Sequence, residues 1–260
     1  MIWFAHGNAL WKMPGLGATN GEHMDAERKA IILGASSGIG KEMALWFARN
    51  GWRVGIVGRR KELLDDIASQ SNGRILASAF DVNEVSLLPR RLDELAERLQ
   101  GLDLLVISAG CGYLNETMAV EPEQKTIDTN VTAFTASAIW GYQRFKDMNR
   151  GQLAAITSIA GLLGEGAAPA YPASKAYQIL YLDSLAKRMR KEKLGCALTE
   201  LRPGFVNTDM MKGEGHFWVC EPAAAADLAC RAIIRKRRLQ YIAKRWSLIG
   251  FLLRLGALFK

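Results

Sequence analysis

The sequence predicts an α/β protein in three layers: a doubly wound parallel sheet of about seven strands, with helices on both faces. Three observations carry this. Short apolar runs alternate with helix-period stretches from residue 29 to residue 243. The apolar runs are continuous and show no polar alternation, as strands covered on both faces should. The first run ends in a glycine-rich turn that opens a helix, and a strand–turn–helix–strand unit of that kind builds a parallel sheet.

Taken in order, residues 1–28 hold glycines, a proline and no clear period, and read as a loose extension with Met24 as an alternative start. Lys29 to Leu33 is long enough for one buried strand. Gly34-Ala35-Ser36-Ser37-Gly38-Ile39-Gly40 follows, then a helix from Lys41 to Asn50, stopped by Gly51. Arg53 to Val57 is the second strand, Lys61 to Ser69 a helix, Ile75 to Phe80 a strand and Val85 to Gln100 a helix. Leu104 to Ile107 is a strand, and one long helix covers Glu121 to Met148. Leu153 to Thr157, Ala197 to Leu201 and Leu239 to Ala243 are the remaining strands. Ala170 to Lys191 and Pro222 to Arg237 are the remaining helices. No internal repeat or linker interrupts residues 29–243, which read as one domain between the extension and a tail over residues 244–260.

Composition narrows the function. At 260 residues and 49% hydrophobic, the chain has enough apolar material for a full core. Cys111, Cys196, Cys220 and Cys230 show no C-x-x-C spacing and no histidine ladder, so neither a metal site nor a disulfide framework is expected. Reduced thiols point to a cytoplasmic setting. No apolar run reaches the ~20 residues of a spanning helix, and Met1 to Leu10 lacks the basic region of a secretory signal. Arg231 to Lys260 holds nine Lys or Arg and no acid; taking those nine from the net +8 leaves the rest at −1. The near-neutral body argues against nucleic acid, and the basicity belongs to the tail.

Two stretches carry chemistry. Gly34, Gly38 and Gly40 stand where the first strand turns into the first helix. Glycines there let the backbone approach a pyrophosphate, and the helix N-terminus supplies free N–H groups. The end of the second strand, Gly58-Arg59-Arg60, lacks the acid that would hold the ribose of NAD. Its guanidinium groups suit a 2′-phosphate instead, so NADP(H) is the expected cofactor. Downstream, Tyr171 and Lys175 are four residues apart, on one face of a helix. A cation so placed favours phenolate, so the tyrosine's pKa is expected to fall from ~10 and the side chain to exchange a proton with a substrate oxygen.

Together these stretches resemble the short-chain dehydrogenase/reductase family over roughly residues 29–243, with its Rossmann-type sheet. Gly34 to Gly40 looks like the family's cofactor glycine motif, with Leu33 where threonine is usual. Asp81-Val82 looks like its adenine-contacting pair, and Ser108-Ala109-Gly110 like its Asn-Ala-Gly motif with serine for asparagine. Asn130, Ser158, Tyr171 and Lys175 match its catalytic set. Pro203-Gly204-Phe205-Val206-Asn207-Thr208 resembles the segment that folds over the nicotinamide. The resemblance implies that Tyr171 protonates a carbonyl oxygen, that Ser158 orients it, and that Lys175 tunes the tyrosine and holds the nicotinamide ribose. It implies that Asn130 positions a water that relays protons to Lys175. The expected activity is NADP(H)-dependent reduction of an apolar ketone or aldehyde, or the reverse oxidation. The pocket walls are expected at Cys111-Gly112-Tyr113, at Gly161-Leu162-Leu163 and in a lid from Asp209 to Cys220, in which His216 is incidental. The alternatives are a non-catalytic NADP(H)-binding regulator and a membrane-peripheral reductase of lipid-like carbonyls.

The tail bears on the last alternative. From Trp246 to Phe259 apolar residues fall almost all round a helix, with basic residues before it. That suits the inner face of an anionic membrane, packing on its own domain, or packing on a second subunit of a homo-oligomer, the family being commonly dimeric or tetrameric.

Overall fold

The computed structural model describes residues 27–211, 217–243, 245–248 and 250. Most of the N-terminal extension, His216 and the tail after residue 250 lie outside these residues.

Seven strands form one parallel sheet in the order β3-β2-β1-β4-β5-β6-β7. They are β1 (Lys29–Leu33), β2 (Arg53–Gly58), β3 (Ile75–Ala79), β4 (Leu104–Ile107), β5 (Gln152–Ile156), β6 (Ala197–Pro203) and β7 (Leu239–Ile242). Successive side chains of a strand point to opposite faces, and the core divides accordingly. Ala30 and Ile32 of β1 pack with α1 (Gly38–Arg49), α2 (Lys61–Ser69) and α7 (Pro222–Ile234). Ile31 and Leu33 pack with α3 (Leu88–Arg98), α5 (Phe134–Met148) and α6 (Ala170–Lys191). The two layers explain why the strands read as unbroken apolar runs.

β1 is flanked by β2 on one side and β4 on the other. The chain winds outward in both directions from this point, and a crevice opens beyond the carboxyl ends of β1 and β4, where ligands bind in such sheets.

The expected spans hold with local corrections. α1 starts at Gly38, inside the glycine motif, and not at Lys41. α3 starts at Leu88, with Pro89 in its first turn, and not at Val85. α7 stops at Ile234, before Lys236 at φ 51°. β6 runs two residues past Leu201 to Pro203, although Glu200 and Arg202 are buried in it. These two pair with each other, and Thr157 Oγ1 donates to Glu200 Oε1 (2.9 Å) while Arg202 Nη1 donates to Tyr241 Oη (2.9 Å). Buried charges survive only when so paired.

The long helix expected over Glu121 to Met148 is continuous but not uniform. α4 (Val120–Ile127) passes into a π-helical turn over Asp128–Ala133 and then into α5. Such a widened turn re-aims the side chains within it, and Asn130, the residue expected to matter here, is wholly buried in it.

Candidate active site

The glycine turn is built by close approach. Gly34 has φ +78°, and a Cβ there would lie 2.5 Å from Ala109 Cα; a Cβ at Gly40 would lie 2.4 Å from the Gly34 carbonyl oxygen. Gly34 and Ala35 both donate to the Val57 carbonyl at the end of β2 (2.9 and 3.0 Å). The turn is thus pressed between the ends of β2 and β4, and side chains at Gly34 or Gly40 would push it out. Across the crevice a Cβ at Gly38 would meet Thr208 Cγ2 at 3.1 Å, so the glycine motif and the Pro203–Thr208 segment form facing walls.

Ser37 is the N-cap of α1 but caps nothing with its side chain. Its hydroxyl accepts instead from Arg60 Nη2 at 2.9 Å, and Ser36 Oγ accepts from the same nitrogen at 2.8 Å. The first amides of α1 thereby stay free of a side-chain cap, with the positive end of the helix dipole behind them. Arg59 is placed otherwise. Its side chain is 71% exposed and lies 3.8 Å from Asp81 Oδ2. Asp81 Oδ1 accepts from the Asn83 amide at 3.0 Å, and Val82 is buried. The Oδ1 atom of Asn83 is buried with no hydrogen-bond partner.

Asn130 organises the other half. Its Oδ1 accepts from the Cys111 amide (2.9 Å), and its Nδ2 donates to the Cys111 carbonyl (2.7 Å) and to Ser174 Oγ (2.9 Å). One buried amide so ties the loop after β4 to the start of α6. That loop passes close by: a Cβ at Gly110 would lie 3.4 Å from Lys175 Nζ, and one at Gly112 would lie 2.6 Å from the Tyr171 ring. From α4, Glu123 accepts the Ala170 amide at 2.7 Å and so holds the N-terminus of α6.

Ser158 stands at the end of β5 and caps the short turn Ile159–Leu162, its hydroxyl accepting from the Ala160 amide at 3.1 Å. Gly161 brings this turn against the backbone of α6, where a Cβ would lie 2.7 Å from the Ala176 nitrogen. The packing sets the Ser158 hydroxyl in hydrogen-bonding contact with Tyr171. Ser158, Tyr171, Lys175 and Asn130 therefore converge from β5, α6 and the π-turn at the carboxyl ends of the strands.

One expectation changes. Tyr171 is not drawn towards neutrality. Burial, the larger effect, pushes its pKa above the ordinary value, and the hydrogen bond from Ser158 acts the other way. Lys175 lies on the same face, its Nζ 5.8 Å from the centre of the Tyr171 ring. Burial lowers its own pKa from 10.5 to about 8. Asn130 and Lys175 are also linked through a side chain. Lys175 Nζ donates to Gln178 Oε1 at 3.0 Å and to the Ile156 carbonyl at 3.3 Å, and Gln178 Nε2 donates to the Asn130 carbonyl at 2.8 Å. Sequence reasoning missed Gln178; the available signal was a polar residue in the buried stripe of α6, one turn past Lys175.

Residues 212–216 of the expected lid lie outside the described residues, and its C-terminal end is anchored to the segment before it. Val206 bridges to Cys220, the Asn207 amide donates to the Cys220 carbonyl (2.9 Å) and the Cys220 amide to the Phe205 carbonyl (3.0 Å). Above this base Phe205, Phe217, Trp218 and Trp246 form an aromatic cluster with ring centres 5.4–5.9 Å apart. Trp246, at the start of the apolar tail, packs on its own domain: it is buried, and a Cβ on Gly204 would fall 2.0 Å from its ring. Gly204 is thus the floor on which this indole rests. The local sequence gives no sign of the contact, because the partners are distant in the chain.

The family model described as short chain dehydrogenase matches residues 28–217. An uncharacterized oxidoreductase of Myxococcus xanthus is 34% identical over 188 residues, covering 70% of this chain and 74% of that protein. The 3-oxoacyl-[acyl-carrier-protein] reductase of Bos taurus is 27% identical over 188 residues, covering 72% and 78%. The crystal structure of a short chain dehydrogenase/reductase from Burkholderia phymatum in complex with NAD superposes with a TM-score of 0.79 at 17% identity, covering 87% of this chain and 92% of that one. On the family match and the Myxococcus relative, the chain belongs to the short chain dehydrogenase family and is an oxidoreductase.

Proposed function

We propose that the chain is an NADP(H)-dependent reductase of an apolar ketone or aldehyde, working in either direction as concentrations dictate. The observation that carries this is the convergence of Ser158, Tyr171, Lys175 and Asn130 on a crevice whose other wall is the glycine turn. The residues present fit a nicotinamide dinucleotide. The glycine turn leaves no room for side chains, the N-terminal amides of α1 are uncapped by a side chain, and the buried Asn83 Oδ1 next to Val82 offers an acceptor of the kind an adenine amino group satisfies. The pyrophosphate would be held by Gly34, Ser36, Ser37, Gly38, Ile39 and Gly40, and the adenine by Asp81 and Val82. Ala109, Gly110, Tyr171 and Lys175, with Pro203, Gly204, Val206 and Thr208, would hold the nicotinamide half. The 2′-phosphate would be held by Arg60 with Arg59. Arg60 carries the greater part of that reading, since it already spans Ser36 and Ser37 while Arg59 faces Asp81.

When bound, the dinucleotide supplies or accepts the hydride. The chain handles the proton. Burial keeps the Tyr171 hydroxyl protonated at neutral pH, as a donor to a carbonyl oxygen requires. Ser158 gives that oxygen a second hydrogen bond as negative charge grows on it. Lys175 remains an ammonium below pH about 8 and stabilises the charge left on Tyr171 after transfer. Phe217, Trp218 and Met210 offer an apolar lining to the substrate, and the bovine relative is named a 3-oxoacyl-[acyl-carrier-protein] reductase, which supports reduction of a carbonyl.

The exposed apolar residues Ile139 of α5 and Tyr177 and Leu180 of α6 support a homo-oligomer. Trp246 is taken up by Gly204 and the aromatic cluster, so a membrane contact by the tail would use the exposed Leu248 and residues beyond Gly250. Among the described residues no helix is long and apolar enough to cross a membrane. The deciding experiment is NADPH consumption across a panel of hydrophobic ketones and aldehydes. Turnover of at least one is expected, and tight NADPH binding with no turnover on any of them would favour the regulator instead.

A further inference from the structure

Gln178 has none of its surface exposed, yet it carries an amide into the polar centre of the molecule. Its partners fix which way that amide faces. A main-chain carbonyl accepts only and an ammonium donates only, so Nε2 must lie on the Asn130 side (2.8 Å) and Oε1 on the Lys175 side (3.0 Å). The remaining acceptor of Lys175, the Ile156 carbonyl, is more distant at 3.3 Å. None of the ion pairs among the described residues involves Lys175. The titratable groups that face it are Tyr171, one turn back on α6, and Cys111, in the loop after β4.

We propose that Gln178 is a positioning residue for Lys175: its amide ties the ammonium to the Asn130 carbonyl. The proposal rests on the reading of Tyr171 and Lys175 as the proton-handling pair. A neutral dipole is suited to this position. A carboxylate would cancel the positive charge that Tyr171 needs nearby, and an apolar side chain would leave a buried ammonium with one long hydrogen bond. The amide is covalently fixed to α6 and holds the charge in place.

The test uses the full chain, NADPH and whichever carbonyl turns over best. Gln178→Leu keeps roughly the volume and removes both hydrogen bonds; Gln178→Ala removes them but leaves room for a water to bridge the same groups. Gln178→Leu is expected to lower kcat roughly tenfold or more, the size of a hydrogen bond to a charged group. It should also move the alkaline limb of kcat for reduction to lower pH, because Lys175 loses its charge sooner. NADPH affinity should fall less than kcat, since Gln178 touches no residue assigned to the phosphates and reaches the nicotinamide half only through Lys175. Gln178→Ala should keep more activity than Gln178→Leu. A side chain that merely fills space predicts the reverse order, because truncation leaves a cavity that leucine fills. Gln178→Leu with wild-type kcat and pH profile overturns the proposal, as does Gln178→Ala slower than Gln178→Leu with an unmoved limb. Should Gln178→Leu fail to fold, Gln178→Met preserves the unbranched shape and is read by the same criteria. Tyr171→Phe run alongside separates the two levels. Turnover surviving in that variant sinks the underlying reading, whereas an inactive Tyr171→Phe beside an unchanged Gln178→Leu sinks only this one.

Discussion

Lys175→Met should remove activity and change how stability depends on pH, and the second effect is calculable. Burial lowers the lysine's pKa from 10.5 to about 8 in the folded chain. Between those values the unfolded chain binds more protons than the folded one, so stability rises with pH across the window. The burdening of the fold by this ammonium is complete below pH 8 and gone above pH 10.5. The full shift of 10.5 − 8 = 2.5 units corresponds to about 3 kcal/mol at ~1.36 kcal/mol per unit. Methionine abolishes that contribution but also strips a donor from Gln178 Oε1 and the Ile156 carbonyl, each of which then costs ~1–3 kcal/mol. The net change at one pH is therefore small and of either sign. The pH dependence escapes this cancellation, because the two orphaned acceptors do not titrate. From pH 7 to pH 9.5 the stability of the variant relative to the wild type should fall by ~2 kcal/mol. Urea unfolding of the cofactor-free proteins, followed by tryptophan fluorescence at both pH values, measures this directly. A difference that stays constant across the range would show that Lys175 is not titrating below its ordinary pKa, and the account of the charge in the site would fail.

Three further outcomes follow from the same geometry. Tyr171→Phe should lower kcat by ~10²–10⁴-fold while NADPH affinity, read by fluorescence titration, stays near normal, because the ring packs as before and only the proton donor is gone; near-normal turnover would refute the assignment. Arg60→Ala should weaken NADPH binding ~10–150-fold and leave NADH binding nearly unchanged, the size of one charge-assisted contact; Arg59→Ala should do less, and equal losses for both cofactors would remove the phosphate role. Gly204→Ala should displace Trp246, since the new methyl would lie 2.0–2.4 Å from the indole, and raise KM for the carbonyl more than for NADPH; an unaltered KM would separate the aromatic cluster from the substrate pocket.

The sequence made the sheet legible because each strand is short, continuous and bounded by glycine, proline or charge. α6 could be placed from Ala170 to Lys191 for the same reason. Ser158, Tyr171 and Lys175 could be found because their chemistry is tied to spacing along one strand end and one helix. Other features depend on contacts between distant residues. The π-turn at Asn130 leaves the helical period around it intact, so no pattern reports it. The direction of the Tyr171 shift depends on how deeply the phenol is buried, which spacing alone does not reveal. Arg59 and Arg60 are neighbours of identical charge, and only the fold sends one to the glycine turn and the other to Asp81. Trp246 was grouped with its basic surroundings, whereas its position answers to Gly204, a small residue in another motif.

The packing of Trp246 on Gly204 also sets where the chain can be cut. Trp246 is 3% exposed and its ring rests on Gly204, with Phe205, Phe217 and Trp218 around it. Residue 243 looks like a natural boundary in the sequence, but ending the chain there would remove the indole and uncover these rings and the Gly204 floor. The newly exposed apolar surface invites association between copies, so a shortened chain should be judged by its state of aggregation before its kinetics are read.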